Sequence, residues 1–187
     1  RSSHLAFVCD LARSRLLILA PHVLDRRNPT PDERNQLAVL DRALQNMREL
    51  RAGAAGCLLI RQTWIDVDRD PLTAPSRAWV SATPYLVTRH GHLGASSAAL
   101  VADLLAECRR RGLPAPAAAR AWGTKGVPGS GLAGRAEIHF ATGVRGPIVL
   151  GRSRYSGGGL FCGAPVTTEE QPAAACGGAR HGSVVDA

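Results

Sequence analysis

An apolar run, Ile148-Val149-Leu150, breaks at Gly151, and beyond Arg152-Ser153-Arg154-Tyr155-Ser156 come three glycines in succession, Gly157 to Gly159. The run reads as a short buried strand. The glycines leave the backbone free to adopt positive φ and to approach a partner closely, with amide N–H groups exposed. Arg152 and Arg154 stand two apart, so on an extended segment both point to one side. Such a loop suits a polyanion backbone. A Gly-rich hairpin with two solvated arginines satisfies the spacing equally.

The charge balance points the same way. The chain has 187 residues and a net charge of +8, which favours an anionic partner. Of 23 basic residues only Lys125 is lysine. That bias fits either genomic base composition or bidentate phosphate contact by arginine. The length allows one domain or two small ones. Aromatic content is 4%, so no base-stacking platform is obvious from composition. No apolar run approaches the ~20 residues that span a bilayer, and no signal peptide is visible. The chain begins at Arg1 rather than Met, as a piece of a longer polypeptide would. Five scattered cysteines without a C-x-x-C pair suggest reduced thiols in a cytoplasmic protein and no structural zinc.

Along the chain, Leu5 to Cys9 and Leu16 to Ala20 read as a hairpin. Thr30-Pro31-Asp32-Glu33 is a helix start with a capping box. Leu37, Leu40, Leu44 and Met47 then form one helical stripe, and the helix should stop before Gly53. Leu58 to Ile60 reads as a strand, and residues 65–77 as a linker at a subdomain boundary. Ala78 to Val87 is strand-like on both sides of Pro84. Ser97 is a plausible cap for a helix carrying Leu100, Val101, Leu104, Leu105 and Cys108. Arg109, Arg110 and Arg111 complement its C-terminal dipole, and Gly112 ends it. A strand is expected around Ala119 to Trp122, and a loop from Gly123 to Gly134. Arg135 to Thr142 alternates, with Ile138, Phe140 and Thr142 on one face and Glu137, His139 and Ala141 on the other. Residues 164–187 read as a disordered tail.

This order predicts an α+β protein of two degraded ferredoxin-like (RRM-like) modules, residues 1–64 and 78–163. Each would be an antiparallel sheet with helices on one face, and each lacks one clear helix of the βαββαβ pattern.

The run Gly146 to Phe161 resembles the glycine-rich loop of the RAMP superfamily of CRISPR-associated proteins. In its repeat-processing endoribonucleases a Gly-Pro-apolar-Gly run leads into a basic Arg-Ser-Arg-aromatic-x-Gly-x-Gly-Leu-Phe stretch. Trp79-Val80-Ser81-Ala82-Thr83-Pro84, followed by Arg89-His90, resembles a segment of the fused Cas proteins of type I-G (I-U) systems, which join a five-type and a six-type module. Ser3-His4-Leu5-Ala6-Phe7 and the helix over 31–50 also fit that group. The resemblance covers roughly residues 3–163 and places the chain as the C-terminal, six-type part. Two departures stand out: histidine is common where this chain has Tyr155, and a hairpin often bearing a second histidine is here Ala12-Arg13-Ser14-Arg15-Leu16.

The resemblance implies cleavage of CRISPR repeat RNA without metal or other cofactor, inside an effector complex with other Cas subunits. The ribose 2′-OH would attack the adjacent phosphate, leaving a 2′,3′-cyclic phosphate and a 5′-OH. That reaction needs a base, an acid and a cation for the pentavalent phosphate. Histidine suits the first two roles and arginine the third. The candidates are His4, His90 and Tyr155 for catalysis. Arg89, Lys125, Arg145, Arg152, Arg154 and Gly157, Gly158 and Gly159 are those for RNA contact. His92, beside His90, lacks a third ligand for a metal, His22 and His139 read as loop and sheet-face residues, and His181 lies in the tail. Gly123-Thr124-Lys125-Gly126 lacks the spacing of a phosphate-binding loop of NTPases. Asp66, Asp68 and Asp70 lack the Gly and distal Glu of a calcium loop. Two other readings stay open: a non-catalytic subunit holding processed crRNA, and a basic scaffold with Leu160 and Phe161 as a contact edge.

Overall fold

The computed structural model describes residues 4–51, 53–88, 96–128 and 131–164. It is a mixed α+β protein with antiparallel sheets and few helices. Strands β1 (Ala6–Asp10) and β2 (Arg15–Leu19) form the expected hairpin, with Ala6 opposite Leu19. A short helix, α1 (Pro21–Leu24), follows, so His22 is helical rather than in a loop.

Helix α2 (Pro31–Gln45) begins as its sequence dictates. The Thr30 side chain accepts from the Glu33 N–H at 3.2 Å, while the Glu33 carboxylate accepts from the Thr30 N–H at 2.8 Å. Arg27 grips the same carboxylate at 2.6 and 2.7 Å. The helix stops at Gln45, earlier than expected, because Glu49–Arg51 leaves it as strand β3 to pair with β4 (Cys57–Leu59). The stripe Leu37, Leu40, Leu44 and Met47 is only half-buried, and no residue of α2 is fully buried. Among the described residues, the first 60 positions form two separate two-stranded ladders rather than one sheet.

The second half holds the main sheet. Its elements are β5 (Ser76–Ser81), β6 (Tyr85–Leu86), α3 (Ser97–Arg110), β7 (Pro116–Val127), β8 (Gly131–Val144), β9 (Ile148–Val149) and β10 (Leu160–Gly163). β5 and β6 lie end to end along one edge of β8, β7 pairs with the other edge, and β10 pairs with both β5 and β9. Every pairing is antiparallel.

Three local expectations change here. Ser96, not Ser97, caps α3, accepting from the Ala99 N–H at 3.2 Å. The loop expected over 123–134 is largely strand: β7 runs to Val127 and β8 starts at Gly131, so Lys125 sits opposite Ala133. Alternation failed to reveal this because alanine and glycine, which dominate the segment, carry no polarity contrast. Finally, Glu137 is buried although it belongs to the polar face, since Arg120 and His139 close over it.

One face of the sheet packs on α3 through Trp79, Tyr85, Leu100, Leu104, Ile138 and Phe161. The opposite face is covered at its β9–β10 end by the β1–β2 hairpin, where Ala6, Val8, Leu17 and Leu24 meet Val149 and Leu160. Leu72, inside the stretch read as a linker, is fully buried in that second cluster. Arg15 fastens the same junction, donating to Asp10 at 2.7 Å and to Asp70 at 2.5 Å. The contact edge considered at Leu160 and Phe161 is excluded, because both side chains are fully buried.

Candidate nucleic-acid interface

The run from Gly151 to Gly159 is a compact series of turns between β9 and β10, not an extended segment. Arg152 and Arg154 therefore do not share a side. Arg152 is exposed, and its backbone N–H donates to the Leu86 carbonyl at 3.0 Å. The Arg154 side chain is only 15% exposed and approaches Glu107 at 3.9 Å. Its guanidinium lies over the Tyr155 ring, 4.4 Å from the centroid, and donates to the Tyr155 hydroxyl at 2.9 Å. The Arg154 Nε is buried without a hydrogen-bond partner.

The glycines serve this turn first. Gly159 has φ +69, and a Cβ there would run into the Leu150 carbonyl. Its N–H donates to the Pro84 carbonyl at 2.9 Å, and the Gly158 N–H to the Ser153 carbonyl at 3.1 Å. Those two amides are thus turned into the protein rather than outward. The Thr83-Pro84 pair holds the loop's exit as well, since the Leu160 N–H donates to the Thr83 hydroxyl at 2.9 Å. The Thr83-Pro84 segment and the glycine-rich loop are therefore bonded to each other.

His4 is exposed and lies just ahead of β1. Three residues later, the Phe7 N–H donates to the Tyr155 carbonyl at 3.3 Å, and the Phe7 carbonyl faces Gly157. β1 thus lies against the glycine-rich loop at Phe7, three residues beyond His4.

A second grouping follows from the sheet register. Ala133 of β8 pairs with Lys125 on one side and with Leu86 on the other, and the Arg152 N–H bonds Leu86. Exposed Lys125 and Arg152 accordingly flank one end of the sheet, about 15 Å apart across three strand spacings. The chain leaves β6 at that same end through Val87 and Thr88. Arg89, His90 and His92 lie outside the described residues. Arg145 is elsewhere, donating to Asp68 at 2.8 Å and to the Val67 carbonyl.

Beneath Thr88 lies a polar cluster that sequence reasoning missed. Asp103 of α3, 6% exposed, accepts from the Tyr85 hydroxyl at 2.6 Å, the Thr88 N–H at 2.8 Å and the Thr88 hydroxyl at 2.8 Å. Burial, and then the Asp103 carboxylate, drive the Tyr85 phenol well above its ordinary value. One turn on, buried Glu107 accepts from Arg110 at 2.8 Å and Arg111 at 2.9 Å. Two arginines that looked like helix-dipole partners are thus ion-paired. An Asp and a Glu inside an otherwise apolar helical stripe were the only available signal.

Among the described residues no three His, Cys, Asp or Glu side chains converge as metal ligands, and no helix is long and apolar enough to cross a membrane. No protein-family model, curated protein or solved structure matches the chain.

Proposed function

We propose that the chain is a six-type module of a CRISPR-associated RAMP protein that binds repeat RNA and cleaves it without metal. The carrying observation is the bond between Phe7 of β1 and Tyr155 of the glycine-rich loop, which supports a site shared by that loop and the segment that carries His4 three residues earlier. A histidine there can take the 2′-OH proton or protonate the departing 5′-oxygen. In this reading Arg152 and Lys125, both exposed, would hold flanking phosphates. The spatial order β7, β8, β5 with β6, β10 supports reading this half as a ferredoxin-like module in which the 151–159 loop stands in for the second helix. Its partners would be the other subunits of a cytoplasmic effector complex.

The test is incubation with repeat RNA in EDTA. A single cut bearing a 2′,3′-cyclic phosphate, lost in His4→Ala with binding retained, is the expected result. Neither cut nor binding defeats the proposal.

One observation favours a second reading, a subunit that holds processed RNA without cutting it. The Tyr155 hydroxyl is already engaged by Arg154, so the position where relatives of the resembled group carry histidine is occupied by a structural contact. Binding without any cut would select that reading.

A further inference from the structure

The two faces of the main sheet are unequal. On the face turned from α3, the β1–β2 hairpin covers β9 and β10, but its apolar cluster includes no residue of β7 or β8. There the register sets Trp122 beside Arg135 and Arg120 beside Glu137, with His139 two residues further along β8. Trp122, Arg135, Arg120 and His139 are all exposed.

An indole 42% exposed on a bare sheet face is the anomaly. Solvated faces of antiparallel sheets are ordinarily polar. Trp122 is not filling a core, since Ala119 and Ala121 are the β7 residues that pack against α3's side. Arg120 lies over it, 5.9 Å from the ring centroid. The single carboxylate of this face, Glu137, is already shared by Arg120 and His139, the latter at 2.7 Å. Burial acts to raise that carboxyl, but Arg120 and His139 outweigh it and hold it below its ordinary value. The face therefore offers a flat aromatic surface among three cationic or protonatable side chains with one acid to set against them.

We infer that this face of β7 and β8 is a second RNA-contact surface, on which an unpaired base stacks against Trp122 while Arg120 and Arg135 flank its phosphates. A ring with an attached anion matches both properties of the face. A duplex matches only the charge, because its bases hide their ring faces from a side chain. The kind of nucleic acid rests on the RNA-binding reading above; the position rests on these residues alone.

The test uses Trp64→Phe protein, which leaves buried Trp79 and exposed Trp122 as the two indoles. Adding a short oligouridylate should quench the emission, and the quench should vanish when Trp122→Phe is added. A short RNA duplex should quench little. Trp122→Ala should weaken oligouridylate binding by roughly tenfold, as loss of one base stack does, and Trp122→Phe by much less. Unchanged affinity in Trp122→Ala, or no quench on binding, overturns this surface and leaves the loop proposal intact. Loss in Trp122→Ala with Arg152→Ala silent sustains this surface and counts against the loop. Failure of the wild-type chain to bind the oligonucleotide overturns both.

Discussion

Arg154 reaches back from the glycine-rich loop to Glu107 of α3, 3.9 Å away, with its guanidinium over the ring of Tyr155. The loop's two arginines are therefore unequal. Arg154→Ala removes a cation–π contact and opens a gap beside a buried carboxylate, so it should cost about 1–2 kcal/mol of stability. Arg152, exposed where Arg154 is largely buried, should lose less stability than Arg154 when replaced by Ala, and its loss should weaken RNA binding with a shallower salt dependence. Melting curves and salt-dependent binding on both variants make the check. Equal stability losses would mean the two side chains play one role.

The glycines separate in the same manner. Gly157 has φ +94, and an added Cβ would meet only the Phe7 carbonyl at ordinary contact distance, 3.6 Å. Gly157→Ala should thus cost about 1–2 kcal/mol, the strain of a positive φ alone. Gly159→Ala adds a collision with the Leu150 carbonyl and disturbs the turn that pairs Leu150 with Gly159. Its cost should be about 3–5 kcal/mol. Urea unfolding of the two variants measures the difference.

Sequence legibility tracked how local the determining interaction was. The capping box of α2 is written in four consecutive residues, and it formed as read. The β1–β2 hairpin needed only two apolar runs and a short turn. Partners distant in the chain could not be read: Arg15 bonds Asp70 fifty-five positions away, and Arg154 meets Glu107. Nor could the full reach of the β7–β8 ladder: Ala119 to Trp122 and Arg135 to Thr142 read as strands, but the Gly-rich residues between them lack the polar alternation that betrays a half-buried strand. The pairing of Trp122 with Arg135 lies across that stretch and could not be read either. Of the glycines read as exposed donors, Gly158 instead bonds Ser153 within the loop and Gly159 bonds Pro84.

Acid should loosen the entry to α2. Arg27, and then the Thr30 backbone, hold the Glu33 carboxyl at about 2 against an ordinary 4.5. A depressed folded value means that the stabilisation is complete above about pH 4.5 and is lost as pH falls towards 2. Glu33→Gln should flatten this acid limb of a stability–pH profile. Thr30→Ala, which deletes the other half of the box, should cost about 1 kcal/mol at neutral pH. Circular dichroism melts at several acidic pH values test both.

Alkali should act through Tyr85. Its phenol is raised above the ordinary value of 10.0 by burial first, and then by its hydrogen bond to Asp103. A folded value above the unfolded one stabilises fully below pH 10, and the benefit drains away as pH climbs beyond it. Tyr85→Phe should therefore lower neutral stability by about 1–3 kcal/mol, because Asp103 loses a donor in a buried setting. It should also reduce the loss of stability between pH 9 and 11, since the variant has no phenol there to ionise. Asp103→Asn tests the partner: it keeps an acceptor for Tyr85 while removing a charge that helps raise the phenol, so its alkaline limb should start where the wild type's does and level off at a lower pH. Thermal midpoints across that range decide the matter, and parallel profiles for wild type and Tyr85→Phe would show that this pair does not govern the alkaline limb.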